Sequence, residues 1–123
     1  MTGTRYIVDT NIWVDYFWHG RFVEEISHAE LETPAVVLVE LAGYFIRNGV
    51  PREFSVRCIA EIVRRSAILN FDMERALKVV EIREKLGLPA MDAIIYSYAE
   101  NGKILLTRDA DLKGLSDVDY RKK

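Results

Sequence analysis

Apolar residues in this chain alternate between short continuous runs and longer stretches with helical spacing. Tyr6-Ile7-Val8 is a β-branched and aromatic run that ends abruptly at Asp9-Thr10-Asn11. That pattern predicts a buried strand followed by a capped helix through Trp13 to Phe17. His19-Gly20 breaks the helix. Phe22 to Leu31 then sets Phe22, Ile26 and Ala29 against Glu24, Glu25 and Glu30, which predicts a short amphipathic helix. Thr33 to Val37 reads as a second strand leading into a helix with Leu38, Leu41, Ala42, Phe45 and Ile46, closed by Asn48-Gly49 and Pro51. Phe54 to Arg65 repeats the helical period through Val56, Ile59, Ala60 and Val63. Ala67 to Phe71 predicts a third strand. Asp72 then caps a helix from Met73 to Leu86, ended by Gly87 and Pro89. Ala90 to Glu100 predicts a further helix stopped at Asn101-Gly102, Lys103 to Leu106 a fourth strand, and Val118 to Tyr120 a short last one. Short strands, apolar on both faces and alternating with helices, argue for a parallel sheet covered by helices. In such sheets ligands bind beyond the carboxyl ends of the strands, where the strand order reverses.

Composition narrows the picture. The chain has 123 residues, of which 50% are hydrophobic, enough for one compact domain over residues 1–123 with a real core. No repeat, low-complexity tract or linker divides it. The single Cys58 excludes an internal disulfide framework and fits a buried helix residue. The polar N-terminus runs directly into the first strand, and charges interrupt every apolar run before about 18 residues. The expectation is therefore a cytoplasmic protein without a membrane segment. The net charge of −2 and isoelectric point near 5.7 are unusual for a nucleic-acid binder, which more often carries a basic excess. A pocket built of carboxylates would itself lower the net charge, and a bound divalent cation would restore much of it.

The candidate chemistry is acidic. Asp9 ends the first strand, and Glu40 lies in the first turns of the helix after the second. Asp92 opens the helix that feeds the fourth strand. Asp109 follows that strand, with Asp111 two residues on. Four acids far apart in sequence thus fall on the rim where strands end and helices begin, and Asp111 is a fifth candidate. Carboxylates brought that close repel, and some take up protons unless a cation neutralises them. Oxygen ligands without Cys or His suit a hard ion, Mg²⁺ or Mn²⁺. Each acid taken alone has a plainer reading. Asp9 fits a helix N-cap, Glu40 a salt bridge within an apolar stretch, Asp92 an acid in a first helical turn, and Asp109 and Asp111 turn residues. The set carries the signal. Arg108 flanks the acidic loop and is a candidate contact for an RNA phosphate, while Arg47, Arg52, Arg64, Arg65 and Lys113 read as solvated helix faces. Trp13 and Trp18 fit packing better than base stacking, and His19 and His28 fit surface positions.

The ordered set Val8-Asp9-Thr10-Asn11, Val39-Glu40-Leu41, Met91-Asp92-Ala93-Ile94-Ile95 and Leu106-Thr107-Arg108-Asp109-Ala110-Asp111-Leu112 resembles a PIN-domain nuclease. It is especially similar to the VapC toxins of prokaryotic toxin–antitoxin pairs. The likeness runs from residue 6 to about 113 with family-like spacing; Leu112 stands where the family often has an aromatic. It implies a three-layer α/β/α fold with a central, mostly parallel sheet of four to five strands. It also implies an endoribonuclease using one or two Mg²⁺ or Mn²⁺ ions, with Asp9, Glu40, Asp92 and Asp109 as the acidic quartet. Asp9 and Asp92 would hold the main ion, Asp109 and Asp111 would add ligands, and Glu40 would ligate or orient the attacking water. Asn11 and Thr107 match supporting polar positions. A homodimer and a VapB-like antitoxin are the implied partners.

Several alternatives stand beside this reading. A housekeeping RNA-processing nuclease would share the site, and so would a domain of this type that only binds partners. A haloacid-dehalogenase phosphatase would need an acid where Asn11 stands. A phospho-receiver module would need a lysine near Thr107-Arg108-Asp109.

Overall fold

The computed structural model describes residues 3–122. Five strands, β1 (Arg5–Val8), β2 (Glu30–Pro34), β3 (Ala67–Leu69), β4 (Lys103–Thr107) and β5 (Val118–Tyr120), form one sheet. Its order is β3-β2-β1-β4-β5, and every neighbouring pair is parallel. Six helices connect them: α1 (Thr10–His19), α2 (Val23–His28), α3 (Ala35–Arg47), α4 (Arg52–Arg65), α5 (Met73–Leu86) and α6 (Ala90–Tyr96). A 3₁₀ turn, Ala110–Leu112, lies between β4 and β5. The parallel sheet with covering helices is the architecture expected from the sequence.

The centre of the sheet is apolar through and through. Ile7 and Val8 of β1 and Leu105 and Leu106 of β4 are fully buried, as strands covered on both faces must be. Trp13 is also fully buried. Its indole Nε1 donates to Thr33 Oγ1 at 3.2 Å, and Thr33 in turn pairs with Ser66 at 2.6 Å, so the polar atom carried into the core is satisfied. Trp13 is thus a packing residue, as its spacing suggested. Trp18, half-buried, packs against Tyr44, Phe45 and Phe54.

Three boundaries differ from the sequence reading. Glu30 and Leu31, expected as the end of an amphipathic helix, open β2 instead, and α2 stops at His28. Glu30-Leu31-Glu32-Thr33 alternates with period two, burying Leu31 and Thr33; the two glutamates disguised it. Conversely, α3 begins at Ala35, so the β-branched pair Val36-Val37 is helical. Pro34 sits at its N-cap, a natural helix start, and burial of Val37 against the sheet outweighs its strand propensity. The expected helix to Glu100 ends at Tyr96, where the Ser97 hydroxyl donates back to Ile94 O at 2.6 Å and competes with helical continuation.

From β1 the chain moves outward through β2 to β3, and it later returns to the other side of β1 as β4 and β5. The order reverses between β1 and β4. The crevice beyond their carboxyl ends is the expected ligand position in an open parallel sheet.

Candidate active site

Register builds this crevice. Val8 lies beside Leu106, so Asp9 and Thr107 follow side by side. Asp9 N donates to Leu106 O at 3.1 Å, extending the pairing by one step, and the Thr107 hydroxyl donates to Asp9 Oδ2 at 2.6 Å. Asp9 Oδ1 accepts from Thr10 N at 2.7 Å; the residue is therefore the α1 N-cap as well as a wall of the crevice. Thr107 Oγ1 also accepts from Asp109 N at 3.0 Å, which ties the loop after β4 to the carboxylate after β1. Asn11 Oδ1 accepts from Arg108 N at 3.0 Å. From α3, Glu40 is fixed by the Thr10 hydroxyl, which donates to its Oε1 at 2.5 Å. Asp92 comes from the first turn of α6.

The resulting pocket, about 330 Å³, is lined by Asp9, Glu40, Asp92 and Asp109 together with Thr10, Asn11, Val14, Asp15, Tyr44, Ile95 and Arg108. All four acids of the expected quartet are brought together. Asp111 lies outside this lining and is exposed. One carboxylate oxygen from each of Asp92, Asp109 and Asp111 nevertheless lies within 4.8 Å of the others. Asp109 Oδ1 fixes that turn by accepting from Asp111 N at 2.9 Å.

The charge balance separates these acids from the others. Most carboxylates elsewhere are matched: Glu61 by Arg64 and Arg65, Glu100 by Arg75 and Lys78, Glu32 by Arg5 and Lys103, and Asp119 and Glu25 by Arg121. Glu53, Asp72, Glu74, Glu84 and Asp117, which have no such pair, are all exposed, whereas Asp9, Glu40, Asp92 and Asp109 are not. Asp9, Glu40, Asp92, Asp109 and Asp111 have no ion-pair partner among the described residues. Burial, reinforced by the charges of Glu40 and Asp109, pushes the Asp9 carboxyl up to about 6 against the hydrogen bonds from Thr107 and Thr10. Partial burial and the charges of Asp109, Asp9 and Asp111 push Asp92 up to about 7. Carboxylates held together with raised proton affinity are a site waiting for a positive charge. An all-oxygen donor set fits a hard divalent cation such as Mg²⁺ or Mn²⁺.

A family model for the PIN domain matches residues 6–118. The chain belongs to the PIN domain family. Two solved structures share the fold of this PIN domain over nearly its whole length. One is a toxin–antitoxin complex from Klebsiella pneumoniae, with TM-score 0.74 and 22% identity, covering 95% of this chain and 96% of that one. The other is VapBC2 from Rickettsia felis bound to a DNA fragment from its promoter, with TM-score 0.75 and 18% identity, covering 96% and 98%. No curated protein sequence matches the chain at a significant level.

Five lining residues of the PIN domain went unassigned in the sequence reading: the apolar Val14 and Ile95, and Thr10, Asp15 and Tyr44. Thr10 bridges Asp9 and Glu40, and only its place inside Asp9-Thr10-Asn11 hinted at it. Asp15 is almost fully buried and pairs with Arg108 at 2.5 Å and Arg21 at 3.3 Å; an acid inside the run Trp13-Val14-Asp15-Tyr16-Phe17 was the available signal. Tyr44 follows Glu40 by one helical turn and so shares its face. Arg108 does line the pocket, as expected, but its guanidinium is held by Asp15 and by Lys122 O. Asp15 and Arg108 thus neutralise each other and leave the quartet's charge uncompensated.

Proposed function

We propose that this PIN domain is a Mg²⁺- or Mn²⁺-dependent endoribonuclease acting as the toxin of a toxin–antitoxin pair. The observation that carries the reading is the set of four carboxylates without counter-charges, gathered in one pocket at the switch point of the sheet. Asp9, Asp92 and Asp109, which line the pocket, with Asp111 within reach of the last two, would hold one or two ions. A bound divalent cation supplies Lewis-acid activation of water and neutralises charge at the scissile phosphate. The chain's own residues then do the positioning. Thr107 and Thr10 fix the two oxygens of Asp9. With Oε1 engaged by Thr10, Glu40 has Oε2 to orient the attacking water and take its proton. Asn11 holds the backbone of Arg108, the only cationic side chain lining the pocket, beside the position of a phosphate. His19 and His28 are exposed and absent from the lining, so a pair of imidazoles cannot serve as acid and base here.

Two uncovered apolar faces support protein partners. A groove of about 670 Å³ between α3 and α4 is lined by Ala42, Phe45, Ile46, Val50, Val56 and Ile59. On α5, Met73, Leu77 and Val80 are exposed at helical spacing. Two such faces on so small a domain suit a VapB-like antitoxin and a second copy of the chain.

The direct test is a mixed RNA substrate incubated with the purified protein in Mg²⁺ or Mn²⁺. Cleavage to 5′-phosphate and 3′-hydroxyl ends, abolished by EDTA, is the expected result. Cleavage that persists in EDTA would overturn the metal-dependent reading.

A further inference from the structure

The walls of the acidic pocket differ in chemistry. Asp9, Glu40, Asp92 and Asp109 supply charge, whereas Val14, Tyr44 and Ile95 supply an apolar flank. Ile95 is nearly fully buried and offers little surface, so the accessible part of that flank belongs to the half-buried Val14 and Tyr44. The Tyr44 ring is braced rather than loose. It stands against Trp18 with centroids 5.3 Å apart and planes at 72°. Trp18 is wedged in turn against Phe54 at 5.4 Å and Phe45 at 5.7 Å. At the backbone, Tyr44 O accepts from Asn48 Nδ2 at 2.8 Å near the end of α3. An aromatic side chain fixed in this way one turn from Glu40 has lost its rotational freedom in advance, which lowers the entropic cost of a second ring packing on it.

We propose that Tyr44, with Val14 beside it, is the base-stacking platform of the site. It receives the nucleobase next to the scissile phosphate and thereby sets which phosphodiester of a flexible strand enters the acidic pocket. This rests on the RNA-cleaving reading above. A strand held only through its phosphates would be read without regard to the base, because phosphate contacts position but do not specify. A π-face at the pocket wall binds any base and discriminates through stacking strength. The proposal therefore requires unpaired RNA, since a base within a duplex has no free face to offer.

The test uses short single-stranded RNAs containing a mapped cleavage site, alongside versions with one abasic residue on either side of the cleaved bond. Tyr44→Ala is expected to raise KM by about tenfold or more, the scale set by loss of one base–aromatic stack, while kcat changes much less. Tyr44→Phe keeps the ring and is expected to behave as wild type. The abasic residue on the stacking side should cost the wild-type protein a similar factor and cost Tyr44→Ala little more, because the two changes remove the same contact. Equal damage from Tyr44→Phe and Tyr44→Ala would overturn the platform, and so would a wild-type protein indifferent to both abasic positions. Wild-type protein that cleaves no RNA with a divalent cation present overturns the parent reading and this one together. Active protein whose KM is unmoved by Tyr44→Ala overturns this one alone.

Discussion

Asp92→Asn is expected to slow RNA cleavage by about 10²–10³-fold while making the metal-free protein more stable at pH 8. The two effects share one cause. Asp92 is held partly buried among Asp109, Asp9 and Asp111, and its carboxyl is pushed up to about 7; at pH 8 it is charged in surroundings that resist the charge. Asparagine keeps the shape and removes the charge. Relief of that repulsion should raise the melting temperature in chelator by about 4 °C, the response of a domain this size to roughly 1 kcal/mol. The partly open position keeps the gain below that of a fully buried group. Activity moves the other way, because losing one preorganised electrostatic group at a reacting centre costs about 10²–10³ in rate. A merely structural Asp92 would give a different pair of readings in melting and cleavage assays: stability unchanged or lowered, and activity retained by the folded fraction.

The second large effect is an inverted dependence of stability on pH. Most carboxylates in folded proteins titrate low and stabilise as pH rises. Here Asp9 moves from an ordinary 3.8 to about 6 and Asp92 moves in the same direction. Each therefore contributes stability that is present below its ordinary value and lost as pH rises through the folded one. The buried Asp9 alone corresponds to about 3 kcal/mol lost by pH 8, at 1.36 kcal/mol for each pKa unit. Asp119 and Glu61, held low by hydrogen bonds from Arg121 and from Arg65 and Arg64, lose their contribution only as pH falls towards and below 4. In EDTA, urea unfolding midpoints should thus peak near pH 4, decline as pH rises to about 7 and level off towards pH 8. Mg²⁺ or Mn²⁺ binds the deprotonated acids and should restore most of the loss, acting more strongly at pH 8 than at pH 5. A midpoint in EDTA that climbs steadily from pH 5 to pH 8 would contradict the account.

Much of this was legible in the sequence because the strands are short and apolar and their ends are marked by acids. Val8-Asp9 and Leu106-Thr107 announce their strand ends, and parallel pairing in register brings Asp9 and Thr107 together without further information. The helix from Met73 to Leu86 and the strand from Val118 to Tyr120 were readable to the residue, the former from its Asp72 cap and its Gly87 stop. Glu30-Leu31 and Ala35 to Val37, on either side of the correctly read Thr33-Pro34, were misread because two local signals conflict with the fold. Glutamates on a strand mimic a polar helix face, and valines at a helix start mimic a strand; only sheet pairing and burial decide between them.

At the site, residue types were visible but their partners were not. Nothing in the order of residues shows that Arg108 faces Asp15 across 93 positions of chain. Nor does it show that Asp111 stands outside the pocket while remaining within reach of Asp92 and Asp109. Those facts depend on side-chain direction in the loop after β4, which the Thr107 and Asp109 hydrogen bonds set.

The central claim is that the unpaired acids form a metal centre. Its most direct test is titration of wild-type protein and Asp92→Asn with Mn²⁺, following free Mn²⁺ by electron paramagnetic resonance. One or two ions bound by wild type, with affinity weakened at least about tenfold in the variant, is the predicted result. Equal binding by both proteins, or none by wild type at millimolar Mn²⁺, would contradict it.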